Sequence, residues 1–395
     1  MSEYSDRRGG VVPFPKDRTA KPRTGKPDRP DNRIIIREYD HIIFISTMIL
    51  VVFGLVMVLS ASSYAAMHSG AGMYAFFTQQ ALGAALGFVG MVAAATFNYK
   101  MVAKFAGLLY VAANGLLVYV ALFGREIQGA RRWIEIGPVN FQPSEIAKIA
   151  VILMLAVYIN ADKNRVNTLK GLIGCAFIIG TPLGLVLWGR NLSTAIIIGA
   201  IGFVMIFLAS PYFWRFVVAA GAVVGGFILF VMFGPAYRMD RINAWLDPFA
   251  DPTGVGFQNV QSFFAIASGG WFGLGLGNSN QKLYFLPEAQ NDFIFAIIVE
   301  ELGLFGAMII LMLFGVLVWR GLRAAINSRS MLGCLIATGI ITMVSVQVII
   351  NVGVVTNTIP NTGIPLPFIS YGGTSIAVMM AAIGMLLNIS RYQKR

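Results

Sequence analysis

The residues most able to do chemistry in this chain are a few charged groups set at the edges of apolar runs. Asp292 closes the stretch Leu286-Pro287-Glu288-Ala289-Gln290-Asn291-Asp292-Phe293, where a polar segment gives way to the apolar run 294–319. A carboxylate at the start of a helix caps free amides and meets the positive end of the dipole, which keeps it ionised. Such an acid is a weak base, sufficient where the leaving group carries much of the reaction. Its place between water and lipid suits a substrate with one end in each phase. Glu300 lies roughly 12 Å deeper along the helix, and Glu301 points away from Asp292. Those two glutamates read as structural groups.

A second cluster lies between 125 and 148. Arg131 and Arg132 precede Trp133, an interfacial aromatic by type. Two guanidinium forks in a row suit either ordinary headgroup contacts or a cationic clamp for pyrophosphate. Ser144 has the chemistry of an N-cap. Glu145 and Lys148 follow at i and i+3, so they share a helix face and pair, as a packing device or as a site inside the membrane. Further charge comes from Arg238, Arg241, Lys282 and Glu288 in the long segment 235–291, whose plain reading is a folded cap with internal salt bridges. The stretch 359–375 brings Ser370 and Tyr371. Its prolines and glycines forbid a continuous helix, so its backbone must line a protein-walled or watery cavity.

The elements that position these groups follow from composition. Hydrophobic residues make up 57% of the 395-residue chain and charged residues 12%, with a mean hydropathy of +0.72. That defines an all-α polytopic membrane protein. About ten apolar runs reach spanning length: 41–63, 76–97, 105–124, 144–160, 171–188, 192–210, 216–234, 292–319, 331–352 and 374–390. The segment 235–291 is then a large extracytoplasmic loop between helices 7 and 8. Within it, 260–268 is apolar but too short to span and reads as an interfacial or re-entrant helix.

Residues 1–40 form a disordered, basic tail, followed by the membrane domain 41–395. Lys and Arg concentrate in the tail and in alternate connections, which places both termini in the cytoplasm. The net charge of +12 therefore reflects topology and anionic membrane lipid, with no nucleic acid implied. Cys175 and Cys334 fall inside spans, His41 and His68 are far apart, and no P-loop is present. Disulfide scaffolds, histidine metal centres and nucleotide-driven work are thus not indicated.

Four long motifs carry a family resemblance: GARRWIEIGPVNFQPSEIAKI at 129–149, DPFADPTGVGFQNVQSFFAIASGG at 247–270, GLGNSNQKLYFLPEAQNDFIFAIIVEELG at 275–303 and PNTGIPLPFISYGGTS at 360–375. In this order they resemble the SEDS family (shape, elongation, division and sporulation), which includes FtsW, RodA and SpoVE, and most of all the FtsW and SpoVE branch. One departure is local. Where the family often has Pro-Asp-Leu-Gly-Thr, this chain has Arg190-Asn191-Leu192-Ser193-Thr194.

The resemblance implies a peptidoglycan glycosyltransferase of the bacterial cytoplasmic membrane that polymerises lipid II at the outer face during division or sporulation. It implies a class B penicillin-binding protein and other divisome proteins as partners, and it puts the family's essential aspartate at Asp292. Clamp candidates for the pyrophosphate are Arg131, Arg132, Arg238, Arg241, Lys282 or a divalent cation (Mg or Mn), in a cavity walled by 364–371. The competing readings are a lipid II flippase using Glu145 and Lys148, a RodA-type elongation polymerase, and a scaffold without catalysis.

Overall fold

The computed structural model describes residues 38–392, leaving out 69–71, 73, 128–129, 137–138, 213, most of 216–235, 284 and 288. Among the described residues, nine helices are long and apolar enough to cross a membrane. They are α1 (His41–His68), α2 (Ala75–Thr96), α4 (Ala106–Phe123), α5 (Pro143–Ala161), α6 (Leu169–Trp188), α7 (Leu192–Ala209), α10 (Ile294–Ile326), α11 (Met331–Val355) and α12 (Gly373–Ser390). Each matches an expected span to within a few residues, except that α1 and α10 run on beyond theirs. The expected span 216–234 lies mostly outside the described residues, as does nearly all of the tail. Shorter helices are α3 (Tyr99–Lys104), α8 (Ala236–Leu246) and α9 (Phe257–Gly269).

Local chemistry sets the helix starts. The Asp40 carboxylate accepts the Ile42 amide at 3.0 Å, opening α1, and grips Arg320 of α10 at 2.6 Å. Thr168, Asn191 and Ser330 accept from Gly171, Thr194 and Gly333, satisfying amides that have no partner within their own helices. α5 starts differently. Pro143 occupies its first turn, Gln142 is the N-cap residue, and the expected cap Ser144 lies inside the helix with a buried, unpartnered hydroxyl. Helix α11 is central, packed against α5, α7, α10 and α12.

Two departures from an all-helical chain matter. The segment ahead of α5 is a small antiparallel sheet of three strands in the order β1-β2-β3, with β1 at Arg125–Ile127, β2 at Ala130–Ile136 and β3 at Val139–Phe141. The apolar run 294–319 is also not one straight helix. At Gly303 the backbone takes φ 70° and ψ −179°, a conformation that only glycine adopts without strain. The carbonyls freed by this break are answered from a distance. Leu274 and Gly275 donate to the Glu300 and Glu301 carbonyls, each at 2.9 Å, and Leu304 donates to the Gly270 carbonyl. A glycine-rich turn following α9 thereby repairs the hydrogen bonding of a kinked membrane helix.

The repair is locked by buried charge. Lys282 sits 2.9 Å from Glu301, and Ser60 of α1 donates to both Glu301 oxygens at 2.6 and 2.9 Å. Glu300, fully buried, accepts from the Ser279 hydroxyl and from the Asn280 amide at 3.0 Å. Both glutamates are thus the structural groups that their position implied.

Candidate functional site

A cavity of about 500 Å³ opens between α2, β2, α5, α7, α11 and the stretch that precedes α12. Of the residues singled out from sequence, it brings together Asp292, Arg132, Trp133, Glu145, Lys148 and Tyr371.

Asp292 lies two residues before α10, and the N-cap position belongs to Phe293 without any side-chain cap. The expected cap position is thus taken by the next residue. What fixes Asp292 is its backbone. Three consecutive carbonyls are held from outside: Gln290 by the Tyr371 amide at 2.9 Å, Asn291 by the Ser370 hydroxyl at 2.6 Å and Asp292 by the Asn351 amide group at 2.8 Å. Asn351 also donates to the Ile364 carbonyl at 2.7 Å, so one buried side chain sets both walls of the cavity. Opposite the carboxylate, Gly363 has φ 65°. A Cβ there would stand 3.0 Å from the Asp292 Oδ2, so a larger residue would be strained in its backbone and would press on this acid.

Within β2 the two arginines take different directions. Arg132 turns to the cavity and donates to the Arg190 carbonyl. Arg131 turns away, 3.7 Å from Glu126 and 3.2 Å from the Leu122 carbonyl. Glu145 and Lys148 form the expected pair at 2.9 Å, nearly sealed at 6% and 2% side-chain exposure. Ser375 holds the other Glu145 oxygen at 3.1 Å. Tyr371 donates to Gln79, and burial pushes its hydroxyl above the ordinary range, so it remains a donor.

The other expected site residues lie elsewhere. Lys282 is buried against Glu301 and Ser60 and is not among the residues that line the cavity. Ser370 is also buried, its hydroxyl consumed by the Asn291 carbonyl and the Leu366 amide. Arg241 donates to the Asn361 carbonyl at 3.1 Å and steadies the cavity's rim from α8. The side chain of Arg238 and all of Glu288 lie outside the described residues. Among the described residues no three His, Cys, Asp or Glu gather as a metal site. Asp292 is the carboxylate at this cavity that would hold a divalent cation, which would supply positive charge there.

Sequence reasoning missed several lining residues. Asn191 and Thr194 at the start of α7, and Gln347 on α11, border the cavity. Asn351 sits one turn beyond Gln347. The available signal was a pair of amides four residues apart inside an apolar span, where polar groups are expensive.

This architecture defines a polytopic membrane protein with one acid, a guanidinium and an ion pair around a cavity among its helices. Comparison with known proteins makes the class specific. The sequence model of the cell cycle protein family of FtsW, RodA and SpoVE matches residues 40–395, and the chain belongs to this family. It is 40% identical over 358 residues to stage V sporulation protein E of Bacillus subtilis (strain 168), covering 90% of this chain and 98% of that one. It is 38% identical to a probable peptidoglycan glycosyltransferase FtsW of Geobacter sp. (strain M18), covering 90% and 97%. Its fold matches a chain from a peptidoglycan synthase complex, studied for the coordination of polymerization and crosslinking, with TM-score 0.75 and 28% identity over 90% of this chain and 99% of that one. It also matches the rod shape determining protein RodA of Thermus thermophilus with TM-score 0.67 and 25% identity, covering 90% and 98%.

Proposed function

We propose that this protein is a peptidoglycan glycosyltransferase that polymerises lipid II at the outer face of the cytoplasmic membrane, with Asp292 as general base. The observation that carries the reading is one carboxylate, held by its backbone and spared by Gly363, sharing a cavity with Arg132 and Lys148.

Joining sugars through a β-1,4 bond inverts the α-linked donor. Asp292 takes the proton of the acceptor hydroxyl as that oxygen attacks the anomeric carbon. The bond to undecaprenyl pyrophosphate breaks, and the pyrophosphate leaves with the electron pair. It leaves as an anion, so it needs neutralising cations and no second carboxylic acid, unlike typical glycosidases. Arg132 is the better placed clamp, because Lys148 is already half committed to Glu145. The residues Arg131 and Lys282 have no part in this step, since their partners lie away from the cavity.

Both termini lie in the cytoplasm in this reading, which puts the Asp292 end of α10 outside. The partner is a class B penicillin-binding protein, consistent with the fold match to a chain of a synthase complex. The similarity to stage V sporulation protein E and to FtsW supports a role in division or sporulation.

Purified protein in sealed vesicles with labelled lipid II tests the reading. Polymer formed from outward-facing lipid, without headgroup crossing, is the expected result. Headgroup crossing without polymer would instead make the Glu145–Lys148 pair part of a transporter.

A further inference from the structure

Gln347 is 2% exposed and lines the cavity. Its side-chain amide makes no hydrogen bond to the protein among the described residues, whereas Asn351, one turn further along α11, uses both of its N–H donors. An amide that lines a cavity with no partner in the protein is open to whatever polar group fills that cavity. Its charged neighbours do not need it. Glu145 and Lys148 pair with each other, and the second Glu145 oxygen takes Ser375. The amide is therefore left facing the space that the substrate enters, roughly 6 Å along the helix from Asn351, the residue that holds the Asp292 backbone.

The chemistry of the missing partner is narrow. A phosphate offers only acceptors and is better matched by Arg132. A carboxamide presents one acceptor and two donors in a plane, which matches a secondary amide that has one of each. We propose that Gln347 binds the acetamido group of an N-acetylated sugar and thereby selects amino sugars over plain ones. This deepens the glycosyltransferase reading and rests on it. A site built to hydrogen-bond one group rejects the analogue that lacks it, because its own polar atoms are then stranded.

The test uses purified full-length protein and three substrates: lipid II, and two analogues in which the acetamido group of one sugar or the other is replaced by hydroxyl. Wild type should discriminate against one analogue by about tenfold or more in kcat/KM, which also names the sugar that is read. Gln347→Leu should raise KM for lipid II by about tenfold with kcat little changed, and should lose that discrimination. Its melting temperature without substrate should not fall, since no bond within the protein is removed. Equal discrimination by wild type and Gln347→Leu, or a variant that melts well below wild type, would overturn the inference. Absence of polymer from wild type with lipid II itself would remove the glycosyltransferase reading, and the inference with it.

Discussion

Two acid–lysine pairs in this protein share the same distance of 2.9 Å and nearly the same burial, yet their surroundings differ. Around Lys282 and Glu301 several polar groups close in: Ser60 serves the carboxylate and the ammonium, and Glu300 is filled by Ser279 and backbone amides, with the Gln281 Oε1 left unpartnered beside them. That region joins α1, the turn after α9 and the broken α10. Around Glu145 and Lys148 there is Ser375, then open cavity with Asp292, Arg132 and Gln347 on its wall. Residue type and spacing do not distinguish a strut from a site. What distinguishes them is that Glu145 and Lys148 line the cavity of Asp292, which Lys282 and Glu301 do not.

The sharpest way to break this comparison is to replace each pair whole with apolar residues of similar size. Lys148→Met with Glu145→Leu should cut polymerisation by about a hundredfold or more. Lys282→Met with Glu301→Leu should leave the rate per folded molecule within about twofold, because a paired charge exchanged for packing is close to neutral. Equal losses from the two doubles, measured as glycan formed per monodisperse protein, would erase the distinction.

Single replacement should separate them by stability instead. Lys282→Met alone strands Glu301 without its cation and should cost about 3 kcal/mol, read as a lower melting temperature in detergent, with stability recovered on adding Glu301→Leu. The smallest effect concerns β2. Arg132→Ala should raise KM for lipid II by about fivefold, whereas Arg131→Ala, whose guanidinium is tied to an exposed glutamate 3.7 Å away, should change it less than about twofold.

Much of the frame is legible in the sequence because it depends on short-range periodicity. The spans of α2, α4, α5, α6 and α7 follow from hydropathy, and the Glu145–Lys148 pair follows from i,i+3 spacing on a helix. What escaped depends on contacts between distant segments. A lone glycine at 303 does not announce a break, because the groups that repair it come from residues 270–275. The three short strands carry arginines and turns rather than a strand-like alternation of apolar residues, so their sheet, and with it the divergence of Arg131 from Arg132, was hidden. Ser370 reads as a cavity hydroxyl until Asn291 and Leu366 are seen to consume it. Gln347 and Asn351 look like minor interruptions of an apolar run. Their different fates, one with both donors used and one facing the cavity, appear only when the segments around 291 and 364 fold against α11.

The central claim is that Asp292 takes the proton from the acceptor sugar. It is tested most directly by Asp292→Asn, a replacement that keeps the shape and the Asn351 bond to the backbone carbonyl. Purified variant and wild type should show the same melting temperature and the same binding to a class B penicillin-binding protein. Only wild type should convert lipid II to glycan strands, with the variant slower by about a thousandfold or more. Glycan synthesis by Asp292→Asn at a rate near that of wild type would contradict the account.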